Sequence, residues 1–184
     1  NRMNKWMLLT LLSLSLSNLT SFDAQAGRSA SQKLLCERQF QKAARRHNVP
    51  VSILHAVGLV ESGRLGRLNR YAMNVHGQTY FPTSLKDAMA IYRRSINAGQ
   101  SLIDVGCMQI NIHYHRQEFS SVPDMFDPQK NVDYAAKFLR ALKDKHSTWT
   151  MAIARYHAGF YNEKAQRRYV CLVIDKLIKL NSAR

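Results

Sequence analysis

Apolar residues return at helical spacing along most of this chain, and that recurrence limits its fold more than any other feature. Cys36, Phe40, Ala43, Ala44 and His47 mark one face of a helix over residues 32–47, ended by Asn48. Pro50 suits the first turn of a second helix, in which Leu54, Val57, Gly58 and Glu61 follow at i, i+3, i+4 and i+7 until Gly63 stops it. Ser84-x-x-Asp87 reads as a capping box for a third helix, striped by Leu85, Ala88, Met89, Tyr92 and Ile96 and closed by Gly99. Asp127-Pro128 opens a fourth, with Val132, Ala135, Ala136, Leu139 and Leu142 facing inward. Ser147 would cap the next, which carries Trp149, Ala152, Ile153 and Tyr156 on one face and ends at Gly159, and Tyr169, Val173, Leu177 and Leu180 stripe the last. Residues 71–81 break the pattern: two β-favouring runs flank His76-Gly77, and Pro82 ends them, so a small hairpin is predicted there. The chain then loops through Asp104 to Gly106. The expected architecture is a mainly α domain with one short hairpin.

The first residues read differently. Arg2 and Lys5 precede an apolar run from Trp6 through Leu16, and Ala24-Gln25-Ala26 precedes Gly27, which is the pattern of an export signal over residues 1–26 followed by one domain over 27–184. A retained anchor is the alternative, but Ser13, Ser15 and Ser17 interrupt the run, which is short for a bilayer span. The expected location is periplasmic or secreted. The formal charge of +15 favours encounter with polyanions such as acidic wall polymers. Basic residues are spread along the chain without interleaved aromatics, so no nucleic-acid partner is expected. In an oxidising compartment two of Cys36, Cys107 and Cys171 would pair. Cys36 lies in the first expected helix and Cys171 in the last, which suggests a clasp between the chain ends and leaves Cys107 as a buried thiol. Neither the cysteines nor His113 and His115 show metal-ligand spacing.

Glu61 is the residue with chemistry in its placement. A carboxyl ending an apolar stripe is partly desolvated, which disfavours its charged form and suits it to hand over a proton. The competing reading is a structural Glu paired with Arg64 near the helix end.

Glu61 has company in the sequence. Val-Glu61-Ser62-Gly, then Val-Gly106-Cys107-Met108-Gln109-Ile110-Asn111, then Ala154-Arg155-Tyr156-His157-Ala158-Gly159 occur in that order. Together they resemble the lytic transglycosylases of the SLT type, in the lysozyme-like superfamily. The resemblance implies a lysozyme-like orthogonal helical domain that cuts the β-1,4 bond between N-acetylmuramic acid and N-acetylglucosamine in peptidoglycan strands. It implies formation of a 1,6-anhydro product without metal or organic cofactor. Glu61 would be the general acid and then the general base. Ser62, Gln109 and Asn111 would offer hydrogen bonds to substrate, Met108 an apolar wall against a sugar face, and Tyr156 a ring and hydroxyl beside the acid. Without the resemblance, Met108 and Ile110 read as core, Gln109 as a backbone cap and Tyr156 as an ordinary stripe aromatic.

Departures and rivals complete the reading. His157 stands where the family usually has Asn, and the stretch from Glu61 to Gly106 is longer than in many relatives. Asp104 raises the question of a second carboxylate, and a loop or helix cap is the favoured reading of it. A hydrolytic lysozyme, a non-catalytic wall-binding assembly protein and a cationic membrane-disrupting protein are the other functions considered. A monomer is expected. Wall turnover, secretion, flagellar and conjugation machines all employ this chemistry, and the sequence does not choose among them.

Overall fold

A computed structural model describes residues 34–158 and 162–182. The expected export signal and the Gly159 helix stop lie outside the described residues. The elements follow from the stripes. Helix α1 (Glu37–His47) buries Phe40, Ala43 and Ala44, and ends at Asn48, whose left-handed φ of 51° lets its N–H reach the Ala44 carbonyl. Helix α2 (Val51–Glu61) starts directly after Pro50 and buries Ile53, Leu54, Ala56, Val57 and Gly58. Burial on more than one face makes α2 the central helix, and its last residues, Glu61 among them, are only partly buried.

The expected hairpin is present as β1 (Met73–Val75) and β2 (Gln78–Tyr80), turned by His76 and Gly77, both at positive φ. It is half of a larger structure. The stretch around Asp104 is not a loop: β3 (Ile103–Val105) and β4 (Ile110–Asn111) extend the hairpin into a four-stranded antiparallel sheet ordered β2-β1-β3-β4, with Met73 opposite Val105 and Asp104 opposite Asn111. Three residues of alternation are too few to announce a strand, and β3 exists because β1 pairs with it.

Helix α3 (Leu85–Asn97) begins as the capping box predicts, with the Ser84 hydroxyl accepting from the Asp87 N–H. Its expected stripe is only partly buried. Ala88 is covered, whereas Ile96 is 42% exposed, because this helix packs lightly at the periphery. Two short helices, α4 (Ile112–His115) and α5 (Val122–Met125), lead to α6 (Pro128–His146), which opens on the Asp127 cap and buries the predicted face together with Asn131. Ser147 does not cap the following helix. It closes α6 in a left-handed conformation, and Thr148 accepts the N–H of Met151 to start α7 (Trp149–Ala158). The last helix, α8 (Glu163–Ser182), buries Gln166, Tyr169 and Val173. α8 packs against α2 and α7, α7 against α6, and α6 against α1.

The disulfide corrects the expected clasp. Cys36 bonds Cys107, with Cα atoms 5.8 Å apart, and Cys171 is free and exposed. Cys36 and Cys107 both sit in the core, whereas Cys171 lies on the face of α8 turned away from Tyr169 and Val173. Cys107 is therefore buried as expected, but bonded.

Candidate active site

The last turn of α2 delivers Glu61, whose side chain is 12% exposed. Its Oε1 accepts a 2.5 Å hydrogen bond from the Tyr169 hydroxyl on α8 and lies 3.8 Å from Nδ1 of His157 on α7. The imidazole lies flat against the Tyr169 ring, at 4.2 Å between centroids and 1° between planes. A stacked pair thus stands beside one carboxyl oxygen, Tyr169 gripping it and His157 in electrostatic contact. The contact with Glu61 raises the His157 pKa against the opposing effect of burial. Burial, then the nearby Glu61, pushes the Tyr169 hydroxyl well above its ordinary value, so it remains a donor.

Next in sequence, Ser62 is buried, and its hydroxyl donates to the Cys107 carbonyl at 2.6 Å. That bond ties the end of α2 to the β3–β4 turn. The turn is built on unusual backbone. Gly106 has φ of 82°, and a Cβ there would fall 2.4 Å from Asn131 Nδ2. Gln109 also adopts a positive φ, 48°, held by its Nε2 donating to the carbonyls of Ala72 and Gly106. Asn131, fully buried on α6, accepts the Met108 N–H and donates to the carbonyls of Val105 and Met125. Tyr156 donates to the Met108 carbonyl at 2.8 Å. Ser62, Asn131, Tyr156 and the Gln109 side chain thus all bond to the backbone of the turn, and Gln109 also ties it to Ala72.

These contacts redistribute the expected roles. Ser62 and Met108, expected to contact substrate, are buried at 2% and 0% exposure. Ser62 is a strut whose hydroxyl is spent on the Cys107 carbonyl rather than offered to substrate, and Met108 packs into the core beside Gly58 rather than forming a wall for a sugar. The Gln109 amide nitrogen is spent on the backbone, the cap reading of that residue. Tyr156 braces the turn rather than holding the acid, and the residue that holds Glu61 is Tyr169, read from the sequence as core stripe. The available signal was a hydroxyl on a stripe otherwise continued by Val173, Leu177 and Leu180, since a buried Tyr oxygen needs a partner.

Asp104 is not a cap. It points from β3 toward the charges of the site, accepting from Asn111 Nδ2 at 2.7 Å. Burial raises its pKa to about 6, the Asn111 bond and His157 working against this and the proximity of Glu61 adding to it. Glu61, Asp104 and His157 thus form one electrostatic cluster, contributed by α2, β3 and α7. Among the described residues no group of His, Cys, Asp and Glu is placed to hold a metal ion.

A family model matches most of the chain. The family model for the transglycosylase SLT domain fits residues 38–174, a span that includes Glu61, the β3–β4 turn, His157 and Tyr169. No curated protein and no solved structure matches the chain.

Proposed function

The chain belongs to the transglycosylase SLT domain family, and from that premise we propose that it cuts the β-1,4 bond between N-acetylmuramic acid and N-acetylglucosamine, with Glu61 as the acid and then the base. The family supports peptidoglycan cleavage of the lytic-transglycosylase type in general. The single observation that carries the finer reading is the Glu61 carboxyl, largely buried at a helix end, gripped at one oxygen by Tyr169 and facing Asp104 and His157.

Glu61 gives its proton to the glycosidic oxygen as the C1–O bond breaks, and the bonding pair leaves with that oxygen. The resulting carboxylate then takes a proton from the C6 hydroxyl of the muramyl sugar while that oxygen closes on C1, forming the 1,6-anhydro ring. No water is consumed, and Glu61 regains its proton. Tyr169 fixes the rotamer from which both transfers occur. Asn111, through Asp104, is the remaining candidate for contact with substrate. The proposed setting is outside the cytoplasm, which the Cys36–Cys107 bond favours because such bonds persist in oxidising compartments. A basic chain also suits an acidic wall polymer.

One observation favours a second reading. A partly buried Asp104 within electrostatic reach of Glu61 supplies the second carboxylate that a hydrolysing enzyme uses. Digestion of purified peptidoglycan by the parent and Glu61→Gln, followed by mass spectrometry, separates the cases. The proposal expects muropeptides lighter by one water than the hydrolytic products, and none from the variant. Products with a reducing muramic end would establish the lysozyme reading, and equal clearing by the variant would leave a wall-binding or membrane-active protein.

A further inference from the structure

We infer that His157 is the proton store of the general acid, lending its proton to the Glu61 carboxylate when a glycan strand covers the site. The inference rests on Glu61 being the acid, and it begins from three features of geometry. Nδ1 of His157 is 3.8 Å from Oε1 of Glu61, the imidazole is clamped by stacking on Tyr169, and the His157 side chain is 46% exposed where that of Glu61 is 12% exposed. The two groups therefore share one neighbourhood but differ in their access to water.

With one proton between them, the pair has two forms: imidazolium with carboxylate, or neutral imidazole with carboxylic acid. Only the second can protonate a leaving group. While water reaches the imidazole, the ion pair is solvated and favoured. A bound strand removes that water, and an ion pair deprived of solvent loses ground to the neutral pair. As the imidazole and the carboxyl close their 3.8 Å gap to hydrogen-bond distance, the Nδ1–H bond breaks while an O–H bond forms on Glu61, and the pair's total charge is unchanged. Anhydro-ring closure returns the proton to Glu61, and departure of the product lets it fall back to His157. A complete cycle passes no proton to bulk solvent.

Among the described residues, the charged or titratable groups facing His157 are Glu61 on α2, Asp104 on β3 and the Tyr169 hydroxyl on α8. Both carboxylates hold the proton on the imidazole in the open site, so the pair retains one proton at a pH where an isolated carboxyl has lost its own. An Asn at 157, the residue more usual in the family, cannot store a proton. The alkaline limb of the activity profile should therefore follow His157.

The test is kcat/KM on purified peptidoglycan against pH for the parent, His157→Asn, His157→Gln and Asp104→Asn. It is joined to NMR titration of the His157 ring in the parent and in Glu61→Gln, with melting curves to show that each variant folds. The expected result is an alkaline limb moved to lower pH in both His157 variants, so that their loss at pH 8 exceeds their loss at pH 5 by about tenfold, one pH unit of displacement. The His157 ring should titrate at lower pH in Glu61→Gln. Superimposable alkaline limbs in the parent and both His157 variants, or a limb that moves in Asp104→Asn alone, overturns the inference while leaving Glu61 as the acid. A folded parent with no lytic activity overturns both.

Discussion

Two sides of the site hold Glu61 and its neighbours by different means. On the helical side, α8 packs against both α2 and α7, Leu54, Val57, Ile153 and Val173 belong to one buried core, and the functional side chains ride at the edges of that packing. On the sheet side, the β3–β4 turn is pinned by polar bonds to its backbone from Ser62, Gln109, Asn131 and Tyr156, with the Cys36–Cys107 bond beneath. Apolar packing is non-directional and fixes position to within a side chain's play. Hydrogen bonds to a turn fix direction as well, which matters where Asp104, held by Asn111, is presented within electrostatic reach of Glu61.

The sharpest way to break this contrast is to remove the central pin. Asn131→Ala deletes three hydrogen bonds and strands the Met108 N–H and the Val105 and Met125 carbonyls in the interior. Buried groups left unpaired cost roughly 1–3 kcal/mol each, with partial relaxation, so a loss of about 3–5 kcal/mol is expected from urea unfolding. A cost below about 1 kcal/mol would mean that apolar packing holds the turn as well, and the contrast would fail.

Asp104 sharpens the same comparison through pH. Its folded pKa is about 6 against an ordinary 3.8, so the folded state binds the proton more tightly than the unfolded chain does. Stability from this group is complete below the ordinary value and falls as pH rises through about 6. The difference is worth at most about 3 kcal/mol. Asp104→Asn removes the titration, so the variant should gain on the parent between pH 4 and pH 7.5 by about 2–3 kcal/mol in denaturant melts. An equal difference at both pH values would show that the sheet side leaves this carboxyl well solvated.

The contrast also explains what could be read in advance. Helices α1, α2, α6, α7 and α8 announce themselves because their burial repeats every three or four residues within one segment, and caps such as Asp127-Pro128 and Ser84-x-x-Asp87 act within a single turn. Glu61 inherits its position from that local pattern. β3 depends on β1, some thirty residues earlier in the chain, and the positive φ of Gln109 depends on carbonyls at Ala72 and Gly106. Neither leaves a periodic mark. The Cys36–Cys107 pairing belongs with them, since helix order along the sequence suggested the ends of the chain while burial in space joined Cys36 to the turn. Tyr169 and His157 were visible as residues, but their meeting at Glu61 required α7 and α8 to be packed together.

The smallest effect tests where the two sides touch. Gly58 lies on α2 against Met108 of the turn: a Cβ there would come 2.5 Å from Leu68 Cδ2, 3.1 Å from Met108 Sδ and 3.2 Å from Phe40 Cζ. Helix propensity alone would make Gly58→Ala stabilising by roughly 1 kcal/mol. Leu68, Met108 and Phe40 are all buried, so the contacts cannot open freely, and overpacking of this kind costs about 1–3 kcal/mol. A net loss of about 1 kcal/mol is expected in urea melts, the packing term exceeding the propensity term. A double-mutant cycle with Met108→Ala identifies the source. If the helix meets the turn through this contact, the shortened side chain leaves space into which the nearby Leu68 methyl can also shift, and the cost of Gly58→Ala falls in that background. A cost unchanged by Met108→Ala would place the clash at Leu68, in the stretch between α2 and β1, or at Phe40 on α1, with the turn standing on its polar pins alone.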